Sequence, residues 1–260
     1  NMKYIYLRGS DLAKLTGHNK FDTLEKTVNE LLSRNGIAER YVPKSNIEEK
    51  LMALTEEQVT ALKTELNISK GATIAEVESV IKSTVMGNSY SGALSEGESK
   101  QKVDEKIEGK PILQSLEGGI KQDLQMRRGN IKENKNLNTI QTNKGIAIQQ
   151  RNSKMYTKEL HRSDTYCLMV RGKVDGVSDG TIIESKNRTR CLFNELRDYE
   201  RVQLECYMFL TGLEKALLTE HFNEESNCIP YSHDEEFWAE CLTSIIQFID
   251  THIAGYLKDS

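Results

Sequence analysis

The sequence predicts an α/β (α+β) protein: a central mixed β-sheet flanked by helices, with a small helical insert in its first half. Three observations predict it. Runs rich in strand formers at 155–160, 166–177 and 181–187 cluster in the second half of the chain. Apolar residues recur at helical spacing on either side of them, over about 115–141, 194–210 and 235–256. Two capping boxes, Thr55 with Gln58 and Thr73 with Glu76, announce compact helices within 45–86.

Residues 4–7 read as a short extended piece, and a helix opens near Ser10 and Asp11 with Leu12 and Leu15 on one face. A second helix starts at Thr23 and carries Leu24, Val28, Leu31 and Leu32. After the insert at 45–86, residues 87–110 read as a flexible linker or exposed loop, because 87–100 is rich in Gly, Ser and Glu and offers little to bury. Residues 215–222 are expected as a further strand, and 235–256 as a closing amphipathic helix. At 260 residues the chain suits one domain (1–260) with one sizeable core, its chemistry expected within 115–260.

Composition is that of an ordinary globular chain and names no function. No apolar run approaches the roughly 20 residues that span a bilayer, and the start lacks the apolar stretch of a signal peptide. A soluble intracellular protein with no membrane contact is expected. Asn1, ahead of Met2, reads as a remnant of expression outside the fold. Cys167, Cys191, Cys206, Cys228 and Cys241 form no CxxC pair, so the usual zinc and iron-sulfur spacings are missing and reduced thiols are expected. The net charge of -4 hides an asymmetry: residues 121–162 hold ten bases against three acids, whereas acids dominate from Val202 onward. That pattern suits one polyanion-facing side, and equally a solvated charged surface.

The strongest local signal is Lys173-Val174-Asp175-Gly176-Val177-Ser178-Asp179-Gly180-Thr181-Ile182-Ile183-Glu184-Ser185-Lys186. Asp179-Gly180 is a favoured two-residue hairpin turn, since both positions tolerate positive φ. The turn pairs Ser178 with Thr181, and counting back sets Asp175 opposite Glu184 and Lys173 opposite Lys186. Strand alternation then puts Asp175, Glu184 and Lys186 on one face. Opposed carboxylates repel, so a sheet has no reason of its own to choose them, and a hard divalent cation such as Mg2+ supplies one. Such a site can polarise a phosphate and acidify water, with Lys186 steadying negative charge and the Ser185 carbonyl as a further ligand.

Asp175 followed by Glu184-Ser185-Lys186 resembles the D-x(n)-(D/E)-x-K core of the PD-(D/E)XK nucleases. Gly129-Asn130-Ile131-Lys132-Glu133 is similar to that family's helical G-x-x-x-E, and Gln203-Leu204-Glu205-Cys206-Tyr207 to its Q-x-x-x-Y. Arg8-Gly9-Ser10-Asp11-Leu12-Ala13, with Gly17 and Phe21, resembles the start of the lambda-exonuclease and YqaJ-type viral recombinase (RecB-like) branch. The likeness spans 4–35 and about 120–250 and leaves the insert without counterpart; the family's proline before the Asp is replaced by Val174. It implies a single nuclease domain with a restriction-endonuclease-like core, active as a divalent-metal-dependent exonuclease on duplex DNA ends in viral or phage recombination or replication. It also implies Mg2+ with Mn2+ able to substitute, a possible homo-oligomer, a possible single-strand annealing partner protein, and a host-cell location if viral. Residue by residue, Glu133, Asp175 and Glu184 would take the metal, beside the Ser185 carbonyl already named, and Lys186 would be catalytic. Gln203 would orient the site, and Ser10 would lie near DNA.

Plainer readings stand beside these. Lys173 and Lys186 can neutralise Asp175 and Glu184 across a surface hairpin. Glu133 can be a solvated helix residue, and Gln203 and Tyr207 part of a core-facing stripe with Tyr199 and Leu210. Ser10 and Asp11 can be an N-cap. Arg188, Arg190 and Tyr207 are assigned to DNA, although exposed arginines are routine. Competing functions are a structure-specific endonuclease on the same scaffold and a catalytically silent DNA-binding or assembly protein.

Overall fold

The computed structural model describes residues 2–257; Asn1 and 258–260 lie outside the described residues. The chain opens with β1 (Lys3–Arg8), a 3-10 turn (Gly9–Asp11), α1 (Leu12–Leu15) and α2 (Leu24–Arg34), the last capped by Thr23. Next come α3 (Asn46–Met52), α4 (Glu56–Glu65) and α5 (Ile74–Val80), which runs into a π-helical turn (Ile81–Met86), then α6 (Glu96–Ile107), α7 (Pro111–Ser115) and α8 (Glu117–Lys144). The C-terminal half supplies β2 (Tyr156–Arg162), β3 (Tyr166–Gly172), β4 (Gly176–Ser178), β5 (Thr181–Asn187), α9 (Asp198–Thr211), β6 (Lys215–Phe222), β7 (Glu225–Ser232) and α10 (Glu235–His252).

The expected α/β architecture is present, with helices against mixed sheet structure, but the strands divide into two sheets. One has the order β1-β3-β2, with β1 parallel and β2 antiparallel to β3. The other has the order β4-β5-β6-β7, with β5 and β6 parallel and both outer pairs antiparallel. The run 166–177, expected as one strand, crosses between them: pairing stops at Gly172 and resumes at Gly176. Residues 173–175 carry the turn between sheets, so the pattern of strand formers is right and its continuity is not. β7 was not anticipated, because Glu225–Ser232 is polar and contains Pro230. It is an edge strand, where a residue without an N–H is tolerated.

Two apolar cores form. The larger joins Ile5, Leu7, Leu12, Leu168, Val170, Ile182, Leu204 and Leu218 to Trp238, Ile245 and Ile249, and so holds both sheets, α1, α9 and α10 together. The second joins Ile47, Leu51, Leu62, Val77, Ile81, Val103, Ile107, Leu113, Ile120 and Leu124. The insert is therefore larger than 45–86: it recruits α6, α7 and the first half of α8. Both expected capping boxes are in place, with a third at Ser95 and Glu98.

That third box belongs to a correction. Residues 87–110 are no loose linker, since α6 occupies Glu96–Ile107 and the residues before it wrap around one guanidinium. Arg128, fully buried, donates to the carbonyl oxygens of Ser91 (2.9 Å) and Leu94 (2.8 Å), to the Ser99 hydroxyl, and to the Glu96 carboxylate (3.1 Å). Glu96 also accepts from Asn187 Nδ2 at 3.0 Å, which ties the segment to the end of β5. A stretch poor in apolar residues is ordered by polar burial, which composition does not register.

Among the described residues no helix is long and apolar enough to cross a membrane.

Replacing Arg128 by Ala leaves Glu96 to Lys132 but strips the half-buried carbonyls of Ser91 and Leu94 of their donor, and leaving buried acceptors unmet costs about 1–3 kcal/mol. Urea denaturation should show a loss of that size; a change under about 1 kcal/mol would remove Arg128 as the organiser of 87–100.

Candidate active site

The hairpin turns where its sequence requires: Asp179 and Gly180 both adopt positive φ (45° and 73°), and Ser178 pairs with Thr181. Pairing runs through Val177–Ile182 and Gly176–Ile183 and then ends. Asp175 consequently does not sit opposite Glu184 in the ladder, and Lys173 does not face Lys186. Instead Asp175 lies in a bend, and its Oδ2 accepts the Ser185 amide at 2.8 Å. The side chain takes over a place that backbone pairing would fill, and this brings the carboxylate to the strand carrying Glu184 and Lys186.

On β5, Glu184 and Lys186 are two residues apart and share a face. Lys186 Nζ donates to Glu184 Oε1 (2.8 Å) and to Gln203 Oε1 (2.9 Å), while Gln203 Nε2 donates to Glu184 Oε1 (3.1 Å) and to the Tyr207 hydroxyl (2.9 Å). Gln203 and Tyr207 lie one turn apart on α9, so a single helix face supplies both. The Tyr207 ring fits against two glycines: a Cβ at Gly172 would lie 2.9 Å from its Cε1, and one at Gly9 would lie 3.1 Å from it. Those approaches explain glycine at both positions and bring the 3-10 turn bearing Ser10 beside the network.

Burial and like charge set the electrostatics. Burial, then the Glu184 charge, pushes the Asp175 carboxyl up to about 8, with Glu133 adding to it and the Ser185 amide and Lys186 opposing. Burial likewise raises Glu184 against the pull of Lys186. For Lys186 burial acts downward, but Glu184 and Asp175 outweigh it and the ammonium is held. Glu184 Oε2 is buried without a hydrogen-bond partner among the described residues, as is the Ser185 hydroxyl. A carboxylate pair with a partnerless buried oxygen fits a hard cation better than it fits an empty core. Among the described residues, however, no three His, Cys, Asp or Glu side chains are gathered closely enough to hold an ion as they stand. Glu133 acts on both carboxylates through its charge and does not complete such a trio.

The other assigned residues divide. Glu133 Oε1 accepts from Asn152 Nδ2 (3.2 Å), whose backbone N–H bonds to the Asp175 carbonyl (3.1 Å). Asn152 thus links α8 to the bend of Asp175, a role that no sequence pattern announces. Ser10 is exposed, and neither it nor Asp11 caps a helix through its side chain; Asp11 pairs with Arg34 at 2.7 Å. Arg190 is exposed beyond β5. Two DNA assignments are corrected. Arg188 is buried, bonded to Glu200 (2.6 Å) and Glu220 (2.8 Å), and locks β5 to α9 and β6 rather than reaching solvent. Tyr207 is 5% exposed and bonded to Gln203, so its ring belongs to the core-facing stripe and no nucleic acid can stack on it. The basic stretch 121–162 is likewise partly internal, since Arg128 and Lys132 are buried.

No protein-family profile matches the chain, and no curated protein matches it. Some solved structures overlap it loosely. SSO0001 does so at 13% identity over 78% of this chain and 89% of its own, with a TM-score of 0.39. LHK-Exo in complex with dAMP overlaps at 14% identity over 81% and 92%, with a TM-score of 0.41. The alkaline exonuclease LHK-Exo from Laribacter hongkongensis overlaps at 15% identity over 80% and 94%, with a TM-score of 0.42. Overlap this loose does not define a shared fold.

Because Asp175 holds its proton in the folded state up to about 8 and releases it near 3.8 when unfolded, folding stability falls as pH rises through that window. With EDTA present, the urea midpoint should drop between pH 5 and pH 8 more in the wild type than in Asp175→Asn. Parallel pH profiles for the two proteins would contradict the burial assigned to Asp175.

Proposed function

We propose that this chain is a divalent-metal-dependent DNA nuclease that hydrolyses phosphodiester bonds, acting as an exonuclease on duplex ends. The observation that carries the reading is buried Glu184 beside half-buried Asp175, with one Glu184 oxygen unpartnered among the described residues and the Lys186 ammonium 2.8 Å from the other. Folding gains nothing from crowding two carboxylates out of water, so the arrangement is one whose benefit comes with a ligand. The resemblance of Asp175, Glu184-Ser185-Lys186, Glu133 and Gln203 to the PD-(D/E)XK pattern supports the same reading and supplies the exonuclease expectation.

Asp175 and Glu184, with the Ser185 carbonyl, would hold Mg2+, and Glu133 would act at longer range. When bound, such an ion supplies Lewis acidity toward phosphate and lowers the pKa of water. The chain's own residues do the rest. Lys186, kept as an ammonium and aimed by Glu184 and Gln203, offers N–H groups to developing negative charge on the phosphoryl oxygens. Gln203 fixes Glu184 and Lys186 together, and Tyr207 fixes Gln203. Ser10 and Arg190, both exposed, would meet the DNA backbone. A homo-oligomer and an annealing partner protein in viral recombination belong to this proposal through the resemblance.

With magnesium, the purified protein should degrade linear duplex and spare covalently closed circles. Glu184→Gln and Lys186→Ala should each lower the rate by about a thousandfold, the scale expected for a group acting directly on transition-state charge. Cutting of circles would replace the exonuclease reading by the endonuclease one. Undiminished hydrolysis in either variant would remove the assigned site.

A further inference from the structure

A polar cavity lies against α8, between that helix, residues 92–98 and the turn joining β6 to β7. It encloses about 250 Å³ and is lined by Lys132, Lys135, Asn136, Thr139 and His221, among others. Two features of its floor are unexplained by the chain itself.

The first is unmet hydrogen bonding. Asn136 and His221 are 7% and 4% exposed, and Asn136 Nδ2 and His221 Nε2 are buried with no partner among the described residues. Buried polar groups in folded proteins are overwhelmingly paired, so two orphans in one cavity point to an absent acceptor. The imidazole is neutral there, because burial pushes its pKa down to about 4, and a neutral ring can place its proton on Nε2.

The second is unbalanced charge. Arg128 and Lys132 are both buried against the single carboxylate of Glu96. Arg128 takes that carboxylate at 3.1 Å, whereas Lys132 reaches the same oxygen at 3.4 Å, its only hydrogen bond among the described residues. One buried positive charge is left in excess. The acids on the cavity rim, Glu98, Glu224 and Glu225, are exposed, where water and salt screen them.

We propose that this cavity binds a phosphate-type oxyanion, held by Lys132, Lys135, Asn136 and His221. Its charge would balance the Lys132 ammonium, and its several oxygens would accept from the amide, the imidazole and the Thr139 hydroxyl together. The site requires no metal and uses none of Asp175, Glu184 or Lys186, so it stands or falls separately from the nuclease reading.

Isothermal titration calorimetry of the full chain in EDTA, with sodium phosphate against sodium chloride at equal ionic strength, tests it. Saturable phosphate binding is expected in the wild type, unchanged in Glu184→Gln and weakened at least about tenfold in Asn136→Leu. Lys135→Ala should also weaken it, and because Lys135 is exposed this change leaves the core alone. Absence of saturable binding in the wild type overturns the proposal, as does full binding in both cavity variants. Loss of binding in Glu184→Gln overturns it too, by moving the anion to the other site. Competition by a short oligonucleotide that depends on its terminal phosphate would make a nucleic-acid end the source of the anion. Competition by neither form would leave free phosphate as the ligand, and the site stands in both cases.

Discussion

Holding buried Glu184 beside half-buried Asp175 is the constraint around which the rest of the molecule is arranged. Desolvation disfavours each charge and drives both carboxyls upward in pKa, the Glu184 charge adding to the rise at Asp175 and the Glu133 and Glu200 charges to the rise at Glu184. The fold meets this cost with short-range partners. The Ser185 amide steadies Asp175, Lys186 and Gln203 share one oxygen of Glu184, and the Tyr207 hydroxyl holds Gln203 in turn. Gly172 sits where it does because the Tyr207 ring leaves no room for a Cβ, and at Gly9 a Cβ would crowd both that ring and the Cys206 sulfur.

Two buried arginines hold the elements that bear these groups. Arg188 joins the end of β5 to α9 through Glu200 and to β6 through Glu220. Arg128 gathers the segment before α6 onto α8, and Glu96 extends that contact to Asn187, the residue after Lys186. Guanidinium suits this work, since its planar fork stays charged when buried and satisfies several acceptors at once. Charges that a sequence reader assigns to a polyanion-facing surface are thus partly internal struts, and the basic character of 121–162 overstates the charge available outside.

Local rules were read directly from the chain. The Asp179-Gly180 turn, the Thr55 and Thr73 capping boxes, the amphipathic closing helix and the shared face of Glu184 with Lys186 follow from backbone preference and from periods of 2.0 and 3.6. The pairing of Gln203 with Tyr207 was legible for the same reason, as one helical turn separates them. Each depends on residues a few positions apart, whose geometry survives whatever surrounds them.

What the tertiary structure alone decided involves distant residues or burial. The break of the 166–177 run between two sheets put Asp175 in a bend, where its side chain rather than its backbone meets β5. Asn152, far from the motif in sequence, links Glu133 to that bend, and Arg188, Tyr207 and the Arg128 cluster turn inward. No spacing encodes these outcomes, because whether a polar side chain faces water or a buried partner depends on which other elements arrive beside it, and that is settled by packing over the whole chain.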